Sequence, residues 1–287
     1  MTTTITLGLA TGFVYAIVAV GYSLIYRTTG IVNFAQGAFV MAGAMAAYWF
    51  YEVRGLPYAL AIILGVVVAG AVGAVLWGSI VLPLWRRDSA PYVVILATLV
   101  FGDLVANLTG ETISNDPQTL PAWISGFRVD IAGASIDGQY VLVILVALAS
   151  IVATAVALNR TSLGKAMRAC ASNARTSQLL GIAPVRVGAL AMIGTACLAG
   201  LAGAAYAPAR YIDYGSALTY GIYGFVAAII GGFGSLWGAL AGGIVLGILT
   251  ALTGRYISTD YQQVIAFGVL IVFLVSRPQG ILGGRLA

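Results

Sequence analysis

Arg160, Lys165, Arg168, Arg175 and Arg186 lie between Asn159 and Arg186, a stretch with no Asp or Glu. Cations with no acid or histidine beside them lack the general base that a catalytic set needs. They suit docking onto another macromolecule, or fixing orientation in a membrane. Two other places could recognise a small solute. Asn33 and Gln36 put two amides, next to Gly37, into an apolar run, and Gly231, Gly232, Gly234 and Ser235 interrupt a second run. A helix that starts at such a break offers backbone N–H groups and a positive dipole end, suited to a carboxylate or a polar amide. Asp103, with Asn107 one turn later, is the one acid well inside an apolar run. Such an acid either lines a solute path or sits near an interface, where its charge costs little. The chain has no histidine, which removes the commonest metal ligand and the usual proton relay. Lys165 is the only lysine and belongs to no G-x-x-x-x-G-K-[ST] motif, so no Walker A loop holds ATP. Cys170 in the basic stretch and Cys197 in an apolar run suggest no disulfide framework. No catalytic residue, metal ligand or cofactor is expected in this chain.

The elements that carry these residues must be membrane helices. The chain is 61% hydrophobic and 8% charged, against roughly 25% charged in soluble domains. Its net charge of +5 does not indicate nucleic-acid binding, because the cations stand at the ends of apolar runs. Spans are expected at Ile5–Tyr26, Ile31–Tyr51, Leu56–Leu82, Pro91–Gly110, Tyr140–Leu158, Val187–Tyr206 and Tyr261–Val275. The first reads as a retained helix, since no positive segment precedes it. The charge-free region Tyr214–Gly254 is too long for one span and reads as a tight hairpin of two short or broken helices. The expected fold is all-α: one transmembrane domain over residues 1–287, a polytopic bundle of about eight to nine spans with broken helices.

Orientation follows the Lys/Arg bias. With the N-terminus outside, Arg27, Arg86, Arg87, the five cations of the basic stretch, Arg277 and Arg285 all face the cytoplasm with only Asp88 among the acids. The C-terminus is then cytoplasmic. Residues 111–139 form the longest outside loop, either a surface loop with an interfacial Trp123 or part of a docking surface. Tyr206, Tyr211, Tyr214, Tyr220, Tyr256 and Tyr261 fall at outer ends and read as an interfacial belt. In the loop 159–186, Ser162 is expected to cap a helix over Leu163–Leu180, Gly181 to end it, and Pro184 to block continuation. Met167, Ala171, Ala174, Gln178 and Leu179 would form a thin apolar stripe, suited to a partner's groove more than to this chain's own core. The alternative is a solvated loop that only sets topology. For the glycine breaks, the alternative to a solute site is close packing through small residues.

Four segments in order resemble the branched-chain amino-acid, high-affinity Liv-type permease family of ABC importers. The first is Gly21-Tyr22-Ser23-Leu24-Ile25-Tyr26 with Ile31-Val32-Asn33-Phe34-Ala35-Gln36-Gly37. The second is Thr161-x-x-Gly164-x-x-x-Arg168-Ala169 with Leu180-Gly181-Ile182. Then come Gly231-Gly232-Phe233-Gly234-Ser235-Leu236-Trp237-Gly238-Ala239 and the closing Arg277-Pro278-Gln279-Gly280-Ile281-Leu282-Gly283. The resemblance implies a type II-like importer permease with pseudo-repeated halves, resident in the prokaryotic cytoplasmic membrane. It implies alternating access powered by two separate ATPase subunits, which carry the ATP and Mg. It also implies a second permease, in a heterodimer or alternatively a homodimer, and an extracytoplasmic solute-binding protein. Gly164, Lys165, Arg168, Ala169, Arg175, Leu180, Gly181 and Ile182 would couple to the ATPase. Asn33, Gln36, Gly37, Asp103, Asn107, Gly231, Gly232, Gly234 and Ser235 would line the substrate path. Many relatives carry His where this chain has Gln36, an acid at Ala38 and a Lys near Tyr223. These departures widen the expected substrate from a branched-chain amino acid to an amide, urea or a small organic or aromatic acid. The rival readings are an ion-coupled carrier, for which Asp103 is the one candidate acid, and a passive small-solute channel.

Overall fold

The computed structural model describes the chain except residues 125–126, 132–133, 278 and 283–287, and except the side chains of 129–131, 134–135 and 174–175. Helix α1 spans Thr2–Thr29. Helix α2, Gln36–Tyr48, runs on through a π-helical turn at Trp49–Val53. Helix α3, Tyr58–Leu76, passes through a second π turn at Trp77–Val81 into α4, Leu82–Arg86. Then follow α5 (Pro91–Thr112), a small antiparallel hairpin of β1 (Arg128–Ile131) and β2 (Ala134–Asp137), and α6 (Gly138–Arg160). Two short helices, α7 (Ser162–Ser172) and α8 (Ala174–Leu179), lead to α9 (Pro184–Tyr206). The chain continues with α10 (Ser216–Gly231), α11 (Leu236–Tyr256) and α12 (Gln262–Ser276).

Among the described residues, 7 helical stretches are long and apolar enough to cross a membrane: α1, α3 through α4, α5, α6, α9, α11, and α12 with the turn before it. The protein is therefore a multi-pass membrane bundle. Helix α2 and helix α10 complete the set but are shorter, each because one end lies at a glycine-containing break. The expected hairpin over 214–254 is one short and one full-length helix, not two short ones.

Helices α1, α2, α9 and α10 form the centre, with α3, α5, α6, α11 and α12 around them. Glycines set the closest approaches. Gly8 and Gly12 of α1 face Gly243 and Gly247 of α11; a Cβ on Gly12 would stand 2.8 Å from the Gly243 carbonyl oxygen. Between hydrocarbon-exposed helices there is no hydrophobic drive to associate, so van der Waals contact through small residues holds the pair. Antiparallel alternation gathers Arg27, Arg86, Arg87, Arg160, Lys165, Arg168, Arg186 and Arg277 at one end of the bundle, the basic end. Glu52, Glu111, Asp116, Asp213 and Asp260 lie at the other. Gln118 and Gln139 are tied down at that opposite end. Gln118 and Ile212 exchange backbone hydrogen bonds of 2.9 and 2.8 Å, and Gln139 donates to the Ala205 carbonyl at 2.9 Å.

Candidate functional site

Helix α1 ends at Gly30, whose φ of 73° closes the last turn. The chain then re-enters the bundle without helical bonds over 31–35, and side chains take over the backbone's hydrogen bonds. Asn33 Oδ1 accepts from the Ala35 N–H at 3.0 Å, and Thr98 Oγ1 accepts from the Phe34 N–H at 3.0 Å. Irregular backbone survives at this depth because protein covers and satisfies it. Asn33 and Gln36 are fully buried. Asn33 Nδ2 donates to the Met192 sulfur at 3.3 Å and Gln36 Nε2 to the Thr195 carbonyl at 3.4 Å. Gln36 Oε1 has no partner among the described residues. Gly37 lies against the Ala217 carbonyl and the Gly221 backbone of α10.

Above this break a cavity of about 310 Å³ opens between α2, α5 and α10, with Phe34, Ala38, Asp103, Asn107, Leu218 and Gly221 in its wall. Asp103 and Asn107 are both exposed. Asn107 Nδ2 donates back to the Asp103 main-chain carbonyl at 2.8 Å and not to its carboxylate. At 1.5 Å per residue Asp103 is about 18 Å from the start of α5 and about 14 Å from its end. Asp103 therefore stands nearer the middle of α5 than either end. Its neighbours on the exposed face are Leu96, Val100 and Leu104, more than half exposed each. The N-terminus of α10, beside the cavity, is already occupied: Asp213 Oδ1 accepts from the Ser216 N–H and from its hydroxyl, both at 2.8 Å.

Toward the basic end the cavity stops at an aromatic cluster. Phe34 and Phe225 have ring centroids 4.8 Å apart, Tyr22 sits 5.7 Å from Phe225 and 5.9 Å from Phe34, and Phe233 lies 5.9 Å from Phe225. The Tyr22 hydroxyl is anchored to the Gly221 carbonyl at 3.1 Å. Phe34 and Phe233 belong to the two glycine-rich segments, so the cluster joins them. Sequence reasoning passed over these rings; the only signal was a Phe beside each break.

The second break occupies a different depth. Gly21 of α1 lies against the Gln36 amide, whereas a Cβ on Gly234 would stand 3.2 Å from Arg27 Cγ. Along α1 those positions are about 9 Å apart. Gly231, Gly232, Gly234 and Ser235 thus form a turn at the basic end and do not reach the cavity. Gly232 and Gly234 have φ of 102° and 88°, open to glycine without strain. Ser235 Oγ caps α11 by accepting from the Gly238 N–H at 3.0 Å. The closing segment folds onto this turn: Ile281 and Leu282 donate to the Ile230 and Gly231 carbonyls at 2.8 and 3.0 Å. Pro278, Gly283 and Arg285 lie outside the described residues.

The basic stretch departs from the single helix expected. Thr161, not Ser162, is the cap: its hydroxyl oxygen accepts from the Gly164 N–H at 3.1 Å. The helix breaks at Asn173, whose Oδ1 caps α8 by accepting from the Thr176 N–H at 3.0 Å. Gly181, with φ of 80°, ends α8 as expected, and Pro184 opens α9. The apolar side of α7 faces this chain's own core: Met167 and Cys170 pack with Leu24, Val187 and Ala191, and Ile182 covers them. Burial pushes the Cys170 thiol up, against a lowering contact from Ser177. Both cysteines are free. Gly164 lies against the Leu158 carbonyl, to which the Arg168 guanidinium donates. Lys165 is exposed, Ala169 half-buried, and the Arg175 side chain lies outside the described part. Leu179 and Leu180 are 88% and 75% exposed, against 37% for Leu163 of α7, so the most exposed apolar side chains of this stretch stand at the end of α8 and its turn.

A family profile described as the branched-chain amino acid transport system / permease component matches residues 4–274. The chain belongs to this permease family. It is 31% identical to the high-affinity branched-chain amino acid transport system permease protein LivH of Escherichia coli K12, over 96% of this chain and 93% of that protein. It is 30% identical to BraD of Pseudomonas aeruginosa, over 96% and 94%. It is 26% identical to LivM of Salmonella typhimurium, over 94% of this chain and 68% of that longer protein. In this permease the tyrosines divide. Tyr211, Tyr214, Tyr256 and Tyr261 are exposed at the end opposite the cations, as a belt would be, but Tyr206 and Tyr220 are buried. Tyr206 shares a 2.8 Å hydrogen bond with Thr11, and Tyr220 packs on Tyr15 and Tyr206.

Proposed function

We propose that the chain is one of two permease subunits of a binding-protein-dependent ABC importer, and that its solute passes along the α2, α5 and α10 face. The observation that carries this is Asp103: an exposed acid near the middle of an apolar helix, in the wall of a cavity of about 310 Å³. A carboxylate there cannot face lipid without a large penalty. A second permease closing over this face would supply the other wall and leave a water-filled path between the subunits. Similarity to both LivH and LivM, named as permease proteins of one kind of system, supports a heterodimer.

The basic end is cytoplasmic by the positive-inside rule, which puts the N-terminus outside and the C-terminus inside. The aromatic cluster of Tyr22, Phe34, Phe225 and Phe233 then closes the cytoplasmic side of the path, and the cavity opens outward, where a binding protein would deliver solute. Leu179, Leu180 and Gly181 would seat in a cleft of a cytoplasmic ATPase, which binds ATP and Mg. Movement of that ATPase, passed through α7 to α1 and α9, would part the aromatic rings. The solute is small and polar or amphipathic. A branched-chain amino acid fits the apolar wall, with its ammonium toward Asp103; an amide or urea fits as well, whereas an acid anion would meet Asp103 and Asp213.

The test is uptake in vesicles holding the complete complex. Asp103→Asn should lower uptake about tenfold, the factor that corresponds to 1.4 kcal/mol, with the complex intact. Unchanged uptake would remove Asp103 from the path. Uptake that follows an imposed ion gradient and ignores ATP would favour a secondary carrier.

A further inference from the structure

A second cleft, of about 300 Å³, lies between α6, α7 and α9 and has no part in the path proposed above. Ala153, Ala157 and Thr161 line one wall and Leu190, Gly194 and Leu198 the other, each set recurring every four residues. The walls therefore run along the helix axes. Leu190 to Leu198 stand about 9 to 21 Å from the start of α9, within the hydrocarbon depth of a bilayer. A Cβ added at Gly194 would meet no atom within 4 Å, so no packing contact requires this glycine and the cleft stays open. Helix α6 packs on α1 and α9, while α5 packs on α2 and α10. The cleft thus lies on a different side of the bundle from the Asp103 face.

Its basic end is charged. Arg160 directly precedes Thr161, and Arg186 stands one turn before Leu190 on the same stripe of α9; both are exposed. No acid occurs between Gly138 and Ile212, so nothing on these helices offsets the two guanidinium groups. We propose that this cleft binds an anionic phospholipid, with an acyl chain between the α6 and α9 walls and the phosphate held by Arg160 and Arg186. Acyl chains fill an apolar groove at this depth, and guanidinium groups match phosphate oxygens with paired hydrogen bonds. The site needs only the fold and stands whatever solute the permease carries.

The full chain in phosphatidylcholine vesicles can be photolabelled with phosphatidylglycerol or phosphatidylcholine bearing the same photoreactive acyl chain. Phosphatidylglycerol should label peptides containing residues 153–163 and 190–198 about tenfold more than phosphatidylcholine, equivalent to 1.4 kcal/mol. Gly194→Leu should abolish this labelling, and the pair Arg160→Gln with Arg186→Gln should bring phosphatidylglycerol down to the phosphatidylcholine level. Equal labelling by the two lipids in the unaltered chain overturns the proposal, as does undiminished labelling in Gly194→Leu or a cross-link to another protein at these peptides. If Gly194→Leu does not fold, the arginine pair decides: a retained preference for phosphatidylglycerol overturns the site.

Discussion

Gly21 carries no side chain because the Gln36 amide occupies the space where one would stand. Gly21→Val should therefore destabilise the protein by about 1–3 kcal/mol, the range for overpacking a filled core. Combining it with Gln36→Ala should return part of the loss, because the colliding group is gone; thermal unfolding in detergent reads both. If the double variant is no more stable than the single, Gln36 is not what Gly21 makes room for. Gly194 gives the contrast. With no atom near its missing Cβ, Gly194→Ala should be neutral or stabilising by up to about 1 kcal/mol, since alanine is the better helix former. The sequence shows Asn33 and Gln36 as two amides within an apolar run. Their partners, Met192 and Thr195, lie 159 residues along the chain and could not be read.

At the scale of elements, the basic loop is held by its caps. Thr161→Ala and Asn173→Ala should each cost about 1 kcal/mol as the N2–N3 donors of α7 and α8 lose their acceptor; helicity and melting temperature check this. Leu179→Asp with Leu180→Asp touches no internal contact of weight. It should leave the melting temperature within a degree or two while abolishing co-purification of the ATPase. Retained ATPase at full yield would mean that α8 is not the docking element. Arg168→Glu should instead lower stability, because the guanidinium binds the Leu158 carbonyl in the last turn of α6. A repeat of small and apolar residues was legible in this loop. Its division into a buried α7 and a protruding α8 was not, because Met167 and Leu179 look alike until α1 and α9 are in place beside one of them.

For the whole molecule, an acid exposed near the middle of α5 implies that this face is not bare in the membrane. Leu218→Cys, on the same cavity and with Cys170 and Cys197 replaced by serine, should be shielded from a lipid-soluble maleimide in the assembled complex. Strong labelling of that cysteine by a lipid-soluble maleimide in the assembled complex would place the interface elsewhere. The aromatic cluster makes a related prediction. Phe34→Ala should loosen the closure on the basic side, raise ATP-independent leakage of solute and leave ATPase docking unchanged. Leakage equal to that of the unaltered complex would show that the rings are packing and not closure.

The order of spans, the basic end, and the existence of two breaks were determined by composition and local chemistry. Apolar runs of about 20 residues must cross, and glycine with amides must interrupt them. What only the tertiary structure decided is where each break lies. The two glycine-rich segments look equivalent along the chain, yet one sits beside Gly21 under a cavity and the other beside Arg27 at the basic end. Hydropathy counts residues along a helix and carries no information on how far a neighbouring helix is shifted along its axis. That shift is set by which small residues meet across the α1, α2, α9, α10 and α11 contacts. It alone puts Asp103 and Phe34 in one cavity and leaves Gly231 and Ser235 to close a turn.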